Sequence, residues 1–190
     1  MLNNLIFYVP LINVSLAIAS LIVLIATLLL AYLLWQKQTV VLDRIVRPWL
    51  WHIIMLTSIG AVALSLLYSE VFLFVPCSLC WLQRVALYPQ AIMAIVAWRR
   101  GDTTHFPSYG IALSIFGLGV ALYHYIYQLI PTEAREAFAP CLVDGSADCG
   151  EKIMNVFGFV TFPLTSAITF AFLIALYMYL RRSKTHAATA

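Results

Sequence analysis

Five runs of about twenty apolar residues set the limits on what this chain can fold into. They lie at about 11–35, 50–69, 80–98, 108–129 and 161–180, and the first, from Leu11 to Trp35, carries no charge. A hydrocarbon core about 30 Å thick is crossed by roughly 20 helical residues. Barrel strands are about half that length and alternate in polarity, a pattern absent here. Backbone polar groups in lipid must find partners within their own segment, so the runs read as helices. Only 10% of the 190 residues are charged and 63% are hydrophobic, whereas an average soluble domain is about 25% charged. The expectation is an all-α polytopic membrane protein, not a soluble domain or a disordered chain. A formal net charge of +3, from 11 Lys+Arg against 8 Asp+Glu, supplies no basic face to follow a phosphate backbone, so no nucleic acid is expected as a partner.

Residues 1–10 hold no Lys or Arg, and the first run exceeds the roughly 7–15 residues of a signal-peptide core. No small-residue cleavage site follows it, so it reads as a retained helix. Threading the five helices in order places Lys37, Arg44, Arg47, Arg99, Arg100, Arg181, Arg182 and Lys184 on one side. The other side has Arg135 and Lys152 among Glu70, Glu133, Glu136, Asp144, Asp148 and Glu151. The Lys/Arg bias makes the first side cytoplasmic. The N-terminus, loop 70–79 and loop 130–160 then face outward, and the tail 181–190 is cytoplasmic. Trp35, Trp49 and Trp51 fit the cytoplasmic interface, and Tyr123, Tyr125 and Tyr127 an aromatic belt at the opposite one. Gly117 and Ala121 make a small-x-x-x-small pair suited to close helix contact. Thr132, after Pro131, reads as the cap of a short surface helix through Phe138.

All four cysteines, Cys77, Cys80, Cys141 and Cys149, fall in the two outward loops. Outside the cytoplasm disulfides persist, so an even number there reads as two potential bridges. Cys77-Ser78-Leu79-Cys80 is a C-x-x-C pair at the mouth of the third helix, where free N–H groups and partial positive charge favour a thiolate. Thiolate is the species that attacks in disulfide exchange. The competing readings are a structural disulfide or half of a zinc site, although zinc ordinarily takes four clustered ligands. Cys141 and Cys149 flank a turn-like stretch around Gly145. Spacing leaves two readings open for them, a staple for the loop or a mobile second dithiol.

An ionisable residue inside a span is costly and is a functional candidate by default. Arg84 lies four residues after Cys80, about 6 Å deeper and on nearly the same face. It stands ready to acidify the thiol or to hold a ligand carbonyl; the competing reading is snorkelling to the headgroups. His124 in the fourth helix falls at about the same depth, with Gln128 one turn above it, and reads equally well as a packing residue or a ligand. Together, Arg84 and His124 suit two opposed carbonyl oxygens of a flat, lipid-soluble ring such as a quinone. Gln83 reads as a supporting neighbour; Tyr88 and Gln90 read as packing or interface groups. No metal site is expected.

The run Cys77-Ser-Leu-Cys80-Trp-Leu-Gln-Arg84-Val-Ala-Leu-Tyr88 resembles the signature of the DsbB family, including its BdbC-like members. His124-Tyr-Ile-Tyr-Gln128-Leu-Ile-Pro131 resembles that family's third core helix. Asp148-Cys149-Gly-Glu151-Lys152, followed by Phe157-Gly158 and Pro163, resembles its second-dithiol segment. The resemblance covers about 50–180 and implies a four-helix bundle core in the bacterial inner membrane, here with one extra N-terminal transmembrane helix in 1–49. It implies an enzyme that re-oxidises a DsbA-like thioredoxin-fold protein and passes electrons to a membrane quinone, ubiquinone or menaquinone. Carried over by position, Cys141 forms the mixed disulfide with the donor and Cys149 exchanges with Cys77. Cys80 becomes the thiolate facing the quinone, Arg84 supports both, and His124 lies near the ring. The short spacing from Cys141 to Cys149 is closer to the BdbC-like pattern. The rival readings are a vitamin K epoxide reductase-like enzyme, whose C-x-x-C belongs near its last core helix, a scaffold stapled by inert disulfides, and a metal carrier.

Overall fold

The computed structural model describes residues 7–36, 44, 46–135 and 148–187. Its five long helices are α1 (Val9–Trp35), α2 (Leu50–Leu66), α3 (Ser78–Arg100), α4 (Phe106–Leu129) and α6 (Phe162–Ala187); α5 (Thr132–Arg135) is a single turn. A 3₁₀ turn, Arg47–Trp49, leads into α2, and a π-helical stretch, Leu67–Val71, ends it. Five segments are long and apolar enough to cross a membrane: Val9–Trp35, Arg47–Val71, Ser78–Arg100, Phe106–Leu129 and Phe162–Arg182. Each matches one of the five runs read from the sequence, with ends shifted by at most a few residues. Among the described residues there is no strand, only an isolated antiparallel bridge between Val156 and Val160. The short surface helix ends at Arg135 among the described residues, and the rest of the stretch expected to reach Phe138 lies outside them.

Successive long helices run in opposite directions, so one end of the bundle gathers Cys77, Cys80 and Cys149 and the other gathers Arg99, Arg100, Arg181 and Arg182. The most extensive pairing is α4 on α6. Small residues allow it: a Cβ on Gly110 would meet the Tyr177 ring at 2.6 Å, and one on Gly117 would run into the Phe170 ring. Ala121, one turn on, is fully buried. Of the small pair expected to make a close helix contact, Gly117 does so against α6. Apolar side chains of α1, such as Ile22, Ile25 and Leu28, remain exposed, as suits helices solvated by lipid.

Several buried polar groups find partners inside the bundle, although among the described residues the Tyr88 hydroxyl and Thr161 Oγ1 are buried without a hydrogen bond. Gln90, fully buried on α3, accepts from Ser114 Oγ of α4 at 2.9 Å and from the Tyr177 hydroxyl of α6 at 3.0 Å. Its amide donates to the Ala86 carbonyl at 3.0 Å. Gln90, expected to be a packing or interface group, is the polar junction of three helices. At the arginine end, Gly101 closes α3 with φ 63°, a left-handed conformation that glycine adopts without a Cβ penalty. Asp102 Oδ1 then accepts from the N–H groups of Thr104 and His105 before α4 begins. Those bonds hold the Asp102 carboxyl below the usual carboxylate range. Trp35 and Trp49 are exposed at this end, whereas Trp51 stacks on Phe106.

Candidate functional site

The dithiol is presented by an irregular approach. The π-helical stretch at Leu67–Val71 closes with a bond from Phe72 N to the Leu67 carbonyl at 3.1 Å, and Leu73 follows with φ 59°. A positive φ on a leucine is strained, costing roughly 1–2 kcal/mol, and both π-bulges and such outliers gather at functional sites. The chain then runs extended through Pro76, and Cys77 becomes the residue before α3, with extended backbone at ψ 171°. Its carbonyl accepts from Trp81 N at 3.1 Å, which seats Cys80 in the first turn.

Cys77 and Cys80 are free thiols, their sulfurs 3.2 Å apart. That is a hydrogen-bonding distance and well beyond the about 2.05 Å of a disulfide. Cys149 is disulfide-bonded, and Cys141 lies outside the described residues. No full capping bond forms from Cys77, but the backbone N–H of Cys80, in the first turn of α3, helps to lower its thiol, as expected of a helix N-terminus. The hydrogen bond from Cys80 and then the His124 imidazole pull the Cys77 thiol well below its ordinary range, against the burial that raises it.

His124 is buried and ties the cysteine segments together. Its Nε2 lies 2.9 Å from the Cys149 carbonyl and 3.9 Å from Cys77 Sγ, and Gln83 Nε2 lies 3.1 Å from its Nδ1. A Gln83 amide donating to Nδ1 leaves the ring proton on Nε2, aimed at the carbonyl and the sulfur. One turn further along α4, Gln128 donates to the Glu151 carbonyl at 3.1 Å and fastens the segment that bears Cys149. Tyr127, expected in an aromatic belt, is instead buried against Cys77, Leu79 and Cys149.

Arg84 does not snorkel. It is buried, its Nε donates to Ser65 Oγ at 2.9 Å and its Nη2 to the Ser65 carbonyl at 3.0 Å, and its guanidinium lies 5.0 Å over the Trp81 ring. Ser65 sits in the last turn of α2 before the π-helical stretch. Sequence reading missed it, because nothing in the spacing from Ser65 to Arg84 announces a bond between two helices. A guanidinium carries five N–H donors, so Arg84 keeps donors beyond those two.

These groups open onto one cavity of about 300 Å³, lined by Cys77, Cys80, Gln83, Arg84, His124 and Gln128 among mainly apolar side chains from α1, α2 and α6. Arg84 and His124, expected at one depth, share it. Its volume is at the small end of the usual range for ligand sites, about 300–1,000 Å³. Cys77 Sγ, Cys80 Sγ and a His124 ring nitrogen also lie within 4.8 Å of one another. That offers a metal three donors where a closed zinc site takes four, and among the described residues no fourth His, Cys, Asp or Glu joins them.

The model of the family described as disulfide bond formation protein DsbB matches residues 47–180. The chain belongs to the DsbB family. It is 31% identical over 134 residues to disulfide bond formation protein C of Bacillus subtilis (strain 168), a match spanning 70% of this chain and 91% of the relative. It is 35% identical over 133 residues to the SPbeta prophage-derived disulfide bond formation protein B of the same organism, spanning 70% and 85%. It is 36% identical over 124 residues to a probable disulfide formation protein of Oceanobacillus iheyensis, spanning 65% and 83%. No solved structure gives a significant match. As a DsbB-family member the chain is a disulfide bond formation protein. The DsbB match begins at Arg47, so α1 lies outside it.

Proposed function

We propose that this protein takes electrons from a DsbA-like thioredoxin-fold thiol protein and delivers them to a membrane quinone. The observation that carries the reading is the opening of the Cys77–Cys80 dithiol onto an apolar cavity shared with Arg84 and His124. The residues present fit a flat, lipid-soluble ring with carbonyl oxygens: Arg84 on α3 keeps N–H donors beyond its two bonds to Ser65, His124 on α4 stands beside the dithiol, and the rest of the lining is mainly apolar.

The donor's thiols exchange with the Cys141 and Cys149 pair, and Cys149 exchanges with Cys77. His124 Nε2 touches both the Cys149 carbonyl and the Cys77 sulfur, so it steadies the two segments during that transfer. Oxidising the Cys77–Cys80 pair to a disulfide releases two electrons and two protons, which reduce one quinone to its hydroquinone. A DsbA-type donor has a potential of about −120 mV, and about 30 mV is worth 1.4 kcal/mol for a two-electron couple. Modest stabilisation of one thiolate therefore shifts the poise usefully. The Lys/Arg bias supports placement in the bacterial inner membrane, with the cysteine end on the outer face and the C-terminus cytoplasmic.

The test is quinone reduction by purified protein in detergent, supplied with a reduced thioredoxin-fold donor and followed by ultraviolet absorbance. Wild type is expected to turn over, and Cys77→Ser and Cys80→Ser to be inactive. Cys141→Ser is expected to block oxidation of the donor yet leave quinone reduction from a small dithiol intact. No turnover by folded wild type with either ubiquinone or menaquinone would overturn the reading in favour of a scaffold.

A further inference from the structure

The helix that lies outside the family match is built into the reaction cavity. Leu16, Ala19, Ser20 and Val23 of α1 line it, and their spacing places them on one stripe of the helix. The opposite side of α1 is exposed, with Ile18, Ile22 and Ile25 turned outward. Within this stretch α1 is a wall one helix thick between the dithiol cavity and the lipid.

That wall has a gap. α1 packs on α6, and α2 packs on α3 and α6, but α1 and α2 make no comparable pairing. They face each other across the cavity, with Ala61, Leu64 and Ser65 on the α2 side. Ser20 is buried at 7% exposure, whereas Ala19, one residue away and also lining the cavity, is exposed. The cavity therefore has its mouth beside Ala19. Toward the cysteine end the two sides are tied together: the Tyr68 hydroxyl of the π-helical stretch donates to Asn13 Oδ1 of α1. Val9, Tyr68 and Phe72 pack there, with Phe74 and Phe162 against them. Tyr68 and Phe162 meet edge to face at 4.6 Å. At that end the exposed Asp148 and Glu151 also line the cavity, whereas the side between α1 and α2 is lined by small and apolar residues and by Ser20 and Ser65.

We propose that the slot between α1 and α2 is a lateral portal to the lipid, and that Ala19 and Ser20 set the size of the apolar, ring-bearing oxidant that passes it to the dithiol. The inference deepens the proposed quinone reading and rests on it for the nature of the oxidant. A bulky side chain at the mouth narrows the slot while the thiols behind it keep their neighbours.

The test compares Ser20→Phe and the rim variant Ala19→Phe with Ile18→Phe, which points outward on the same turn. Two readouts are taken in detergent or liposomes. One is the labelling rate of the reduced Cys77–Cys80 pair by a long-chain alkyl maleimide and by N-ethylmaleimide. The other is KM for a prenylated quinone and for the same ring without its tail. The expected result is a ten-fold or greater loss for the long-chain maleimide and the prenylated quinone in Ser20→Phe and Ala19→Phe. N-ethylmaleimide and the bare ring should change less than two-fold, which also reports an intact fold. Ile18→Phe should match wild type. Equal behaviour of Ala19→Phe and Ile18→Phe, or equal loss for long and short probes in Ala19→Phe, would overturn the portal. If wild type reduces no quinone, the proposed function fails, and the maleimide pair still decides whether the portal exists.

Discussion

The Nε2 atom of His124 stands 3.9 Å from the sulfur of Cys77 while bonding the carbonyl of Cys149 at 2.9 Å. A single imidazole on α4 thus touches both cysteine-bearing segments. It reaches Cys77 in particular, the cysteine whose thiol is pulled below its ordinary range. The two sulfurs of the C-x-x-C are therefore not equivalent: Cys77 is the partner stabilised as the anion, with Cys80 donating to it.

This asymmetry has a pH signature. An ordinary thiol has a pKa of about 8.5 and is alkylated about ten-fold more slowly for each pH unit below it. Cys77 is expected to keep its alkylation rate nearly constant from pH 8.5 down to about 6, where free cysteine has lost more than a hundred-fold. The linkage sign is that of an acid with a depressed folded pKa. Its contribution to stability is full above the unfolded value of about 8.5 and is lost as pH falls through the folded one. Reduced protein should therefore gain stability as pH rises toward 8.5, and His124→Ala should flatten part of that rise. Mass-spectrometric alkylation profiles and thermal unfolding of the reduced form at several pH values provide the check. A Cys77 profile superimposable on that of free cysteine would remove the asymmetry.

Ser65 is expected to be a positioning residue for Arg84. Removing its hydroxyl leaves the guanidinium with the carbonyl bond alone. Ser65→Ala should raise KM for the oxidant about ten-fold, equivalent to about 1.4 kcal/mol, with little change in kcat. Ser65→Thr, which keeps the hydroxyl, should stay near wild type. Steady-state kinetics with the small quinone separates this from a packing defect, which would depress kcat for Ser65→Thr as well.

Gly117 and Gly119 give a paired test of the α4–α6 contact. A Cβ at Gly117 would run into the Phe170 ring, whereas one at Gly119 meets nothing within 4 Å. Gly117→Ala is expected to destabilise by roughly 1–3 kcal/mol through overpacking, and Gly119→Ala to be neutral or slightly stabilising because alanine is the better helix former. Thermal unfolding in detergent reads the difference. Phe170→Leu in the Gly117→Ala background should restore part of the loss, because the smaller side chain vacates the position that the new methyl group takes.

How much of this was legible in the sequence depends on the range of the signal. The five spans were legible because roughly twenty apolar residues in a row have one physical solution in lipid. The C-x-x-C at the mouth of α3 was legible because four adjacent positions carry it. The shared cavity of Arg84 and His124 followed from counting helical rise. What was hidden were bonds between helices far apart in sequence: Ser65 to Arg84, Gln83 to His124, and Ser114 and Tyr177 to Gln90. Helical periodicity says which side a residue takes on its own helix, not which neighbour stands opposite. Tyr127 was misplaced for the same reason, since an aromatic near a helix end looks alike whether it meets a headgroup or a buried cysteine. The role of α1 was hidden too, because an uncharged helix shows no sign of the cavity behind it.

Gln90 supplies the last prediction. Its Oε1 accepts from Ser114 and Tyr177 at once, so Gln90→Leu orphans two buried hydroxyls while preserving volume. An unsatisfied buried donor costs roughly 1–3 kcal/mol, though membrane hydrogen bonds average about 0.6 kcal/mol in double-mutant cycles because released groups find other partners. Gln90→Leu is therefore expected to destabilise the bundle by about 1–3 kcal/mol. Adding Ser114→Ala and Tyr177→Phe should recover part of that loss, because neither hydroxyl then lacks an acceptor. The site at the other end of α3 should be untouched, with Cys77 alkylation unchanged. Additive losses in the triple variant would mean that Gln90 acts by packing alone, and that the three helices are not joined through its amide.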